Sequence, residues 1–164
     1  MREYTVQGTI STISSSPCSL VMIMPAAGQT IEIIRAWCSQ YGSSTSAQQR
    51  IQLGFKASVY QSTMTSTSPQ TTKSSDPASK ISGAATIAAA ASALGISTGT
   101  EGGGTFTPVV TDAFNVLNGW LWVPTPNETI MLNSASNFCF TMYLPTAAGT
   151  TSNWNAGVTF RELG

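Results

Sequence analysis

The most regular alternation in the chain runs from Arg50 to Tyr60. Ile51, Leu53, Phe55, Ala57 and Val59 share one side, and Arg50, Gln52, Gly54, Lys56, Ser58 and Tyr60 the other. A period of two is that of a strand buried on one face. The same period returns from Phe138 to Leu144, where Phe138, Phe140, Met142 and Leu144 oppose Cys139, Thr141 and Tyr143. It also runs from Thr30 to Trp37, a segment dominated by β-branched residues, with Thr30, Glu32, Ile34 and Ala36 expected on one side and Ile31, Ile33, Arg35 and Trp37 on the other. Cys18 to Met24 does not alternate. This short apolar run contains one Ser and is closed by Pro25-Ala26-Ala27-Gly28, which predicts a strand covered on both faces or a steep core strand. A further strand is predicted from Tyr4 to Ile13, ending in the turn signal Ser14-Ser15-Ser16-Pro17.

Punctuation sets the rest of the organisation. Gly42 and the serines after it predict a hairpin loop, and Asn118-Gly119 a tight turn or bulge ahead of Trp120, Leu121 and Trp122. Strands are predicted at Thr105 to Thr111, Phe114 to Val123, Thr129 to Asn133 and Ala156 to Leu163. Residues 61–104 interrupt this series as one excursion between two strands. They are polar and carry Pro69 and Pro77, an Ala-rich stretch from Ala84 to Leu94 that predicts a short helix ended by Gly95, and Gly102-Gly103-Gly104. So long an insertion is seldom structureless in a compact domain. It has few large side chains to offset an ordering cost of roughly 1–2 kcal/mol per residue. It is therefore expected to dock on the sandwich or on a neighbour at a subunit contact, with Ala84 to Leu94 as the packed portion, while the flanking strands carry the core pattern without it. Eight or nine short strands with at most one brief helix predict an all-β sandwich of a single domain, residues 1–164, with a jelly roll ahead of other Greek-key forms.

Composition narrows the function. Seven Lys plus Arg balance seven Asp plus Glu, and only 9% of residues are charged, against roughly 25% in a typical soluble domain. Nucleic-acid binding rests on clustered positive charge, so a nucleic-acid partner is not expected. Histidine is absent, which removes the commonest general base, the Ser-His and Cys-His nucleophile pairs and most zinc and copper sites. No enzymatic activity, cofactor or metal is expected. Cys18, Cys38 and Cys139 are odd in number, follow no motif spacing and lie within or beside apolar runs. Buried reduced thiols are expected, with one disulfide and a leftover thiol as the alternative. Neither a targeting segment nor a membrane span is expected, because Met1-Arg2-Glu3 leads into polar sequence and Leu20 to Met24 is too short for either.

Candidate chemistry is sparse. Glu32, Asp76, Glu101, Asp112 and Glu128 are isolated carboxylates whose spacing favours no acid and nucleophile pair. The three glycines at 102–104 lack the Lys-Ser or Lys-Thr of a phosphate loop. Asn127-Glu128-Thr129 fits a glycosylation triplet by chance. Trp120, Trp122, Tyr143 and Trp154 offer aromatic faces of the kind that stack on sugars. Trp120 and Trp122 share a strand face beside Leu117 and Val123, which favours core or subunit-interface packing. The candidate interface residues are therefore Trp120, Trp122, Trp154 and Leu94, and no residue is assigned a catalytic role.

The stretch from Glu32 to Gln52, where Ile-Glu-Ile-Ile-Arg-Ala-Trp precedes Gly-Ser-Ser-Thr-Ser, and the segment Asn118-Gly-Trp-Leu-Trp-Val-Pro carry a resemblance. With the scarce charge and the Ala/Gly/Ser-rich excursion, the chain resembles bacteriophage and other viral capsid subunits. These include the single jelly-roll coat proteins of tailless icosahedral viruses with an internal membrane. The resemblance implies a subunit made in a host cytoplasm and assembled through lateral contacts into a virion, with itself and other virion proteins as partners and no direct membrane insertion. It brings no catalytic residues. A capsid decoration protein, or a receptor- or carbohydrate-binding sandwich module, is the alternative.

Overall fold

The structure is a computed structural model. It describes residues 2–10, 13, 17–25, 27–42, 45–57, 64–81, 93–97, 104–133, 138–146 and 153–164. Twelve strands and no helix are found among them: β1 (Arg2–Ile10), β2 (Cys18–Met24), β3 (Thr30–Tyr41), β4 (Gln48–Ala57), β5 (Met64–Ser66), β6 (Gln70–Thr71), β7 (Ala93–Ser97), β8 (Thr105–Asn115), β9 (Trp120–Trp122), β10 (Ile130–Asn133), β11 (Phe138–Leu144) and β12 (Asn153–Glu162). They form two antiparallel sheets. Sheet A has the order β10-β3-β12-β1-β6, with β9 also on β3, and sheet B has the order β5-β7-β2-β11-β4-β8.

The long strands pair in a nested way: β1 with β12, β2 with β11, β3 with β9 and β10, and β4 with β8. First meets last, second meets second-last, and so inward, a connectivity compatible with a single jelly roll. The two sheets close on one apolar cluster. Val6, Ile33, Val158 and Phe160 from sheet A meet Leu20, Ile23, Leu53 and Phe140 from sheet B, all of them buried. The Phe114 ring stands edge-on to Trp154 at 6.1 Å, and Tyr4 packs on Phe160 at 5.8 Å.

β2 is buried at all seven positions, Ser19 included, which fits the first of the two readings of its apolar run. It lies between β7 and β11, and a register shift leaves Leu20 without a partner across from Met142 and Tyr143, so that Leu20 and Val21 both join the core. In β11 Phe140, Met142 and Leu144 face the core as expected, while Phe138 at the start of the strand is exposed and Cys139 and Thr141 on the other side are buried as well. In β3 it breaks. Ile33 pairs with Phe160 and Arg35 with Thr159, so Ile34 is an extra residue, and the inward set is Ile31, Ile33, Ala36 and Cys38. The bulge moves Trp37 onto the side opposite Ala36 and Cys38, away from the core.

Two expectations of connectivity need correction. The loop after Gly42 is not a hairpin, since β3 belongs to sheet A and β4 to sheet B. Turn composition marks a reversal without saying which sheet receives the next strand. The Ala-rich stretch does not end in helix, because Ala93 and Leu94 open β7, while 84–92 lie outside the described residues. The strand count exceeds the eight or nine expected because 61–104 itself contributes β5, β6 and β7.

That excursion leaves and returns at neighbouring positions, Ala57 opposite Thr105, and adds strands to both sheets. β6 extends β1, and the chain then crosses the end of the sandwich. Tyr4 Oη donates to Pro77 O at 2.9 Å, Ser79 Oγ and Lys80 N donate to the buried Glu162 Oε1 at 2.5 and 3.1 Å, and Ile81 enters the core. The core is therefore not complete without it. Removing residues 64–100 takes away β7, the partner of β2, together with Ile81, so the expected product is an aggregating chain. A milder test is Ile81→Ala. With Ile81 only 1% exposed, unfolding in urea should register a loss of about 2–4 kcal/mol, whereas a passive loop would register almost none.

Candidate functional site

The outward face of sheet A is built in cross-strand rungs centred on β12. Glu3, Arg161 and Glu32 lie abreast, and Arg161 donates through Nε to Glu3 Oε1 at 2.8 Å and through Nη1 to Glu32 Oε2 at 3.4 Å. In the next rung Thr5 Oγ1 and Thr159 Oγ1 are 3.0 Å apart, and Arg35 Nη2 donates to Thr159 Oγ1 at 3.3 Å. The third rung is Gln7, Gly157 and Trp37, with Leu121 of β9 beyond. The fourth is Thr9, Asn155 and Ser39, in which Thr9 Oγ1 donates to Asn155 Oδ1 at 2.9 Å. One end of the face is an ion-paired ladder, and the other is uncharged.

Gly157 is what makes the third rung work. A β-carbon there would overlap Cζ2 and Cε2 of Trp37, so only glycine lets the indole lie across β12. The Arg35 guanidinium carbon stands 4.6 Å from the ring centroid, a cation–π contact that holds the indole further. Beside the ring an open cleft of about 490 Å³ is lined by Gln7, Gly8, Thr9, Trp37, Ser39, Asn155 and Ala156.

The edge of this sheet is apolar. β9 pairs with β3 so that Trp120 lies opposite Cys38 and Trp122 opposite Ala36, both inward positions, which turns Leu121 outward. Leu121, Val123 and Met131 are 63, 61 and 50% exposed. Between β9 and β10 the edge is interrupted by Pro124 and Pro126 and by a turn in which Glu128 N donates to Thr125 O at 3.0 Å and Thr125 Oγ1 to Glu128 Oε2 at 2.8 Å. The Asn118-Gly119 turn is present: Asn118 N donates to Asn115 O at 3.0 Å, and Gly119 has φ +69°. Leu117 in that turn is exposed, so it does not share the inward face of Trp120.

The four candidate interface residues are not brought together on the surface. Trp154 is fully buried in the core, where its neighbours are Phe114 and the inward side of sheet A. Trp120 is also buried, and its Nε1 donates to Asp112 Oδ2 at 2.9 Å; Trp122 is half-buried against the core. Leu94 lies in β7, and its side chain is outside what is described. A platform of Trp120 and Trp154 is thus not available to a partner of the folded chain. An aromatic that does lie at the outward face is Trp37, which sequence reasoning placed in a strand without singling it out. A signal for it exists in Gly157, a glycine inside a strand pattern, yet its meaning depends on the register of β3 against β12.

Of the carboxylates, Glu32 is held by Arg161, Glu128 closes its turn, and Glu101 lies outside the described residues. Cys18, Cys38 and Cys139 are all buried, and none forms a disulfide. Burial pushes the Cys18 thiol up to about 12 and raises that of Cys38 as well. No family model, curated protein or solved structure matches the chain, so its own geometry carries the functional argument.

Asp112 supplies a pH-dependent test of how the β9 edge is held. The indole N–H of Trp120 first, and the Ala113 N–H second, hold its carboxyl below the ordinary value of 3.8, against a small opposing effect of burial. A lowered folded-state value means that the stabilisation is present above the unfolded value and is lost as pH falls through the folded one. Tryptophan emission followed from pH 5 downward should change with a midpoint below that ordinary value. Asp112→Asn should remove this transition and cost less than about 1 kcal/mol at neutral pH, since the carboxylate is exposed.

Proposed function

We propose that the chain is a structural subunit of a virion, a coat protein that assembles with copies of itself through lateral contacts. The observation that carries the reading is the apolar strand edge formed by Leu121, Val123 and Met131 on a molecule with 9% charged residues. Exposed apolar residues grouped at one edge mark a protein contact, and scarce charge leaves little long-range repulsion between copies. Two further features support it. The nested pairing is compatible with the jelly roll expected of such subunits. The outer strand of sheet B, β8, is eleven residues long and carries one charged residue, Asp112, with Pro108 and a bulge at Val109 interrupting its edge. In this reading the protein belongs to the particle, with itself and other virion proteins as partners. A decoration role uses the same edge with a different neighbour.

Sedimentation and light scattering across a concentration series, with electron microscopy of the concentrated sample, test the proposal. Dimers or larger closed species are expected. Leu121→Glu combined with Val123→Glu should leave the circular dichroism unchanged and weaken association at least about tenfold, since burying one such side chain is worth roughly 1.5–3 kcal/mol. A wild-type chain that stays monomeric throughout, or a double variant that associates as the wild type does, overturns the reading.

A further inference from the structure

A sandwich offers its sheet edges to any chain that can add a strand, and one edge here is far longer than the rest. Among the described residues β8 pairs with β4 alone and runs for eleven residues, whereas the other edge strands, β5, β6, β9 and β10, have two to four. Seven of its eleven residues are β-branched or aromatic, a composition that pairs readily. We propose that Asp112 guards this edge: its carboxylate occupies the free side of β8 and keeps a strand of a second copy from pairing there, which leaves association to the apolar β9–β10 edge. The last clause rests on the assembly reading above; the guarding of β8 does not.

Three observations carry it. The first is the direction of the backbone. Val116, the residue after β8, donates its N–H to Ala47 O at 3.0 Å and continues the register of Gln48 opposite Asn115. In an antiparallel ladder successive residues turn their N–H and C=O to opposite sides, so Asp112 and Phe114 face β4, and Thr111, Ala113 and Asn115 face the free edge. The second is what Asp112 does there. It shares the side of β8 that carries Phe114, whose ring stands edge-on to the buried Trp154, so it is an inward-pointing charge on an edge strand. Its Oδ2 accepts the Trp120 indole N–H at 2.9 Å, which fixes the carboxylate between the edges of the two sheets, and its Oδ1 accepts the edge-facing Ala113 N–H at 2.7 Å. One oxygen would satisfy the indole; the other takes away a donor that an added strand needs. Such a strand would also cover the carboxylate, whose charge is costly to remove from water. The third is that neighbouring positions are closed in the same way. Asn115 O, on the free edge, accepts the N–H of Asn118 at 3.0 Å, and Pro108, beyond the bulge at Val109, has no N–H to offer. Asp112 sits between these two closures, next to the edge-facing groups of Thr111.

The test is made in the full-length Leu121→Glu, Val123→Glu chain, so that the β9 edge does not mask the result. Sedimentation over a concentration series should show that adding Asp112→Val, or Asp112→Thr, tightens self-association about tenfold or more. Amide hydrogen exchange should slow on association at residues 109–115. Asp112→Lys loses the same bonds to Ala113 and Trp120 but keeps a charge at the edge, and it should sediment as the parent does. Adding Ala113→Pro to Asp112→Val removes the N–H that the carboxylate had covered, at an edge-facing position where proline is tolerated, and should reverse the association. Circular dichroism and urea unfolding establish that each variant is folded. The proposal is overturned if neither Asp112→Val nor Asp112→Thr associates more tightly than the parent. It fails equally if Asp112→Lys associates as they do, which would make the lost bonds the cause, or if the slowed amides lie outside β8. Failure of the assembly reading is seen separately, as a Leu121→Glu, Val123→Glu chain that associates like the wild type before Asp112 is touched; the comparison at Asp112 still reads the guard through the exchange at 109–115.

Discussion

One strand supports most of this molecule. β12 is hydrogen-bonded to β1 along one side and to β3 along the other, and it uses both of its faces. Trp154, Ala156, Val158 and Phe160 point into the core, each at most 1% exposed. Asn155, Gly157, Thr159 and Arg161 point outward and form the middle column of every rung on the candidate face. Displacing β12 by one residue would exchange these two sets, sending aromatic and aliphatic groups to water and an arginine to the interior. The register of the core and the geometry of the surface are therefore a single constraint. Its last inward residue, Glu162, extends the constraint to the crossing segment, because Ser79 and Lys80 are held on its carboxylate.

The same strand explains why the outward face divides into regions of different character. Where β12 carries Arg161, flanking strands supply Glu3 and Glu32, and the charges satisfy one another. Where it carries Gly157, the side-chain layer has a gap that Trp37 of the neighbouring strand fills. Where it carries Asn155, hydroxyls on either side complete an uncharged rung. Beyond β3 the face runs into the apolar residues of β9 and β10, an edge that Pro124 and Pro126 keep from becoming one continuous pairing strand. The apolar edge and the uncharged cleft thus occupy adjacent regions of one sheet without sharing residues.

Legibility from sequence followed the range of the interaction that decides each feature. β11 and the double burial of β2 were readable because period and run length are local properties. β3 was half readable: an extra residue at Ile34 inverts the inward set after it, and nothing in Ile33-Ile34-Arg35 announces which strand partner forces it. The loop after Gly42 was recognisable as a reversal but not as a crossing between sheets. Trp154, set among Asn153 and Asn155, has the local look of a surface residue, yet the strand's alternation puts it at the centre of the core. Trp37, with apolar Ala36 and Cys38 beside it, reads more like a core residue and is the one on the surface. Both reversals arise from pairings more than a hundred residues apart in the chain, which composition and periodicity do not encode.

Nested pairing also orders events in time. The innermost partners, β4 and β8, are closest in sequence, whereas β1 pairs with the strand furthest from it. On the ribosome, at roughly 5–20 residues per second, the first strand emerges with Tyr4, Val6 and Ile10 and has only the short β6 to pair with until residues 153–162 are out of the exit tunnel. For that interval of seconds the nascent chain holds apolar, nearly uncharged strands open to one another and to those of neighbouring chains on the same messenger. Chaperone capture during synthesis, and a strong dependence of soluble yield on translation rate and temperature, are the expected consequences of pairing β1 with the strand furthest from it.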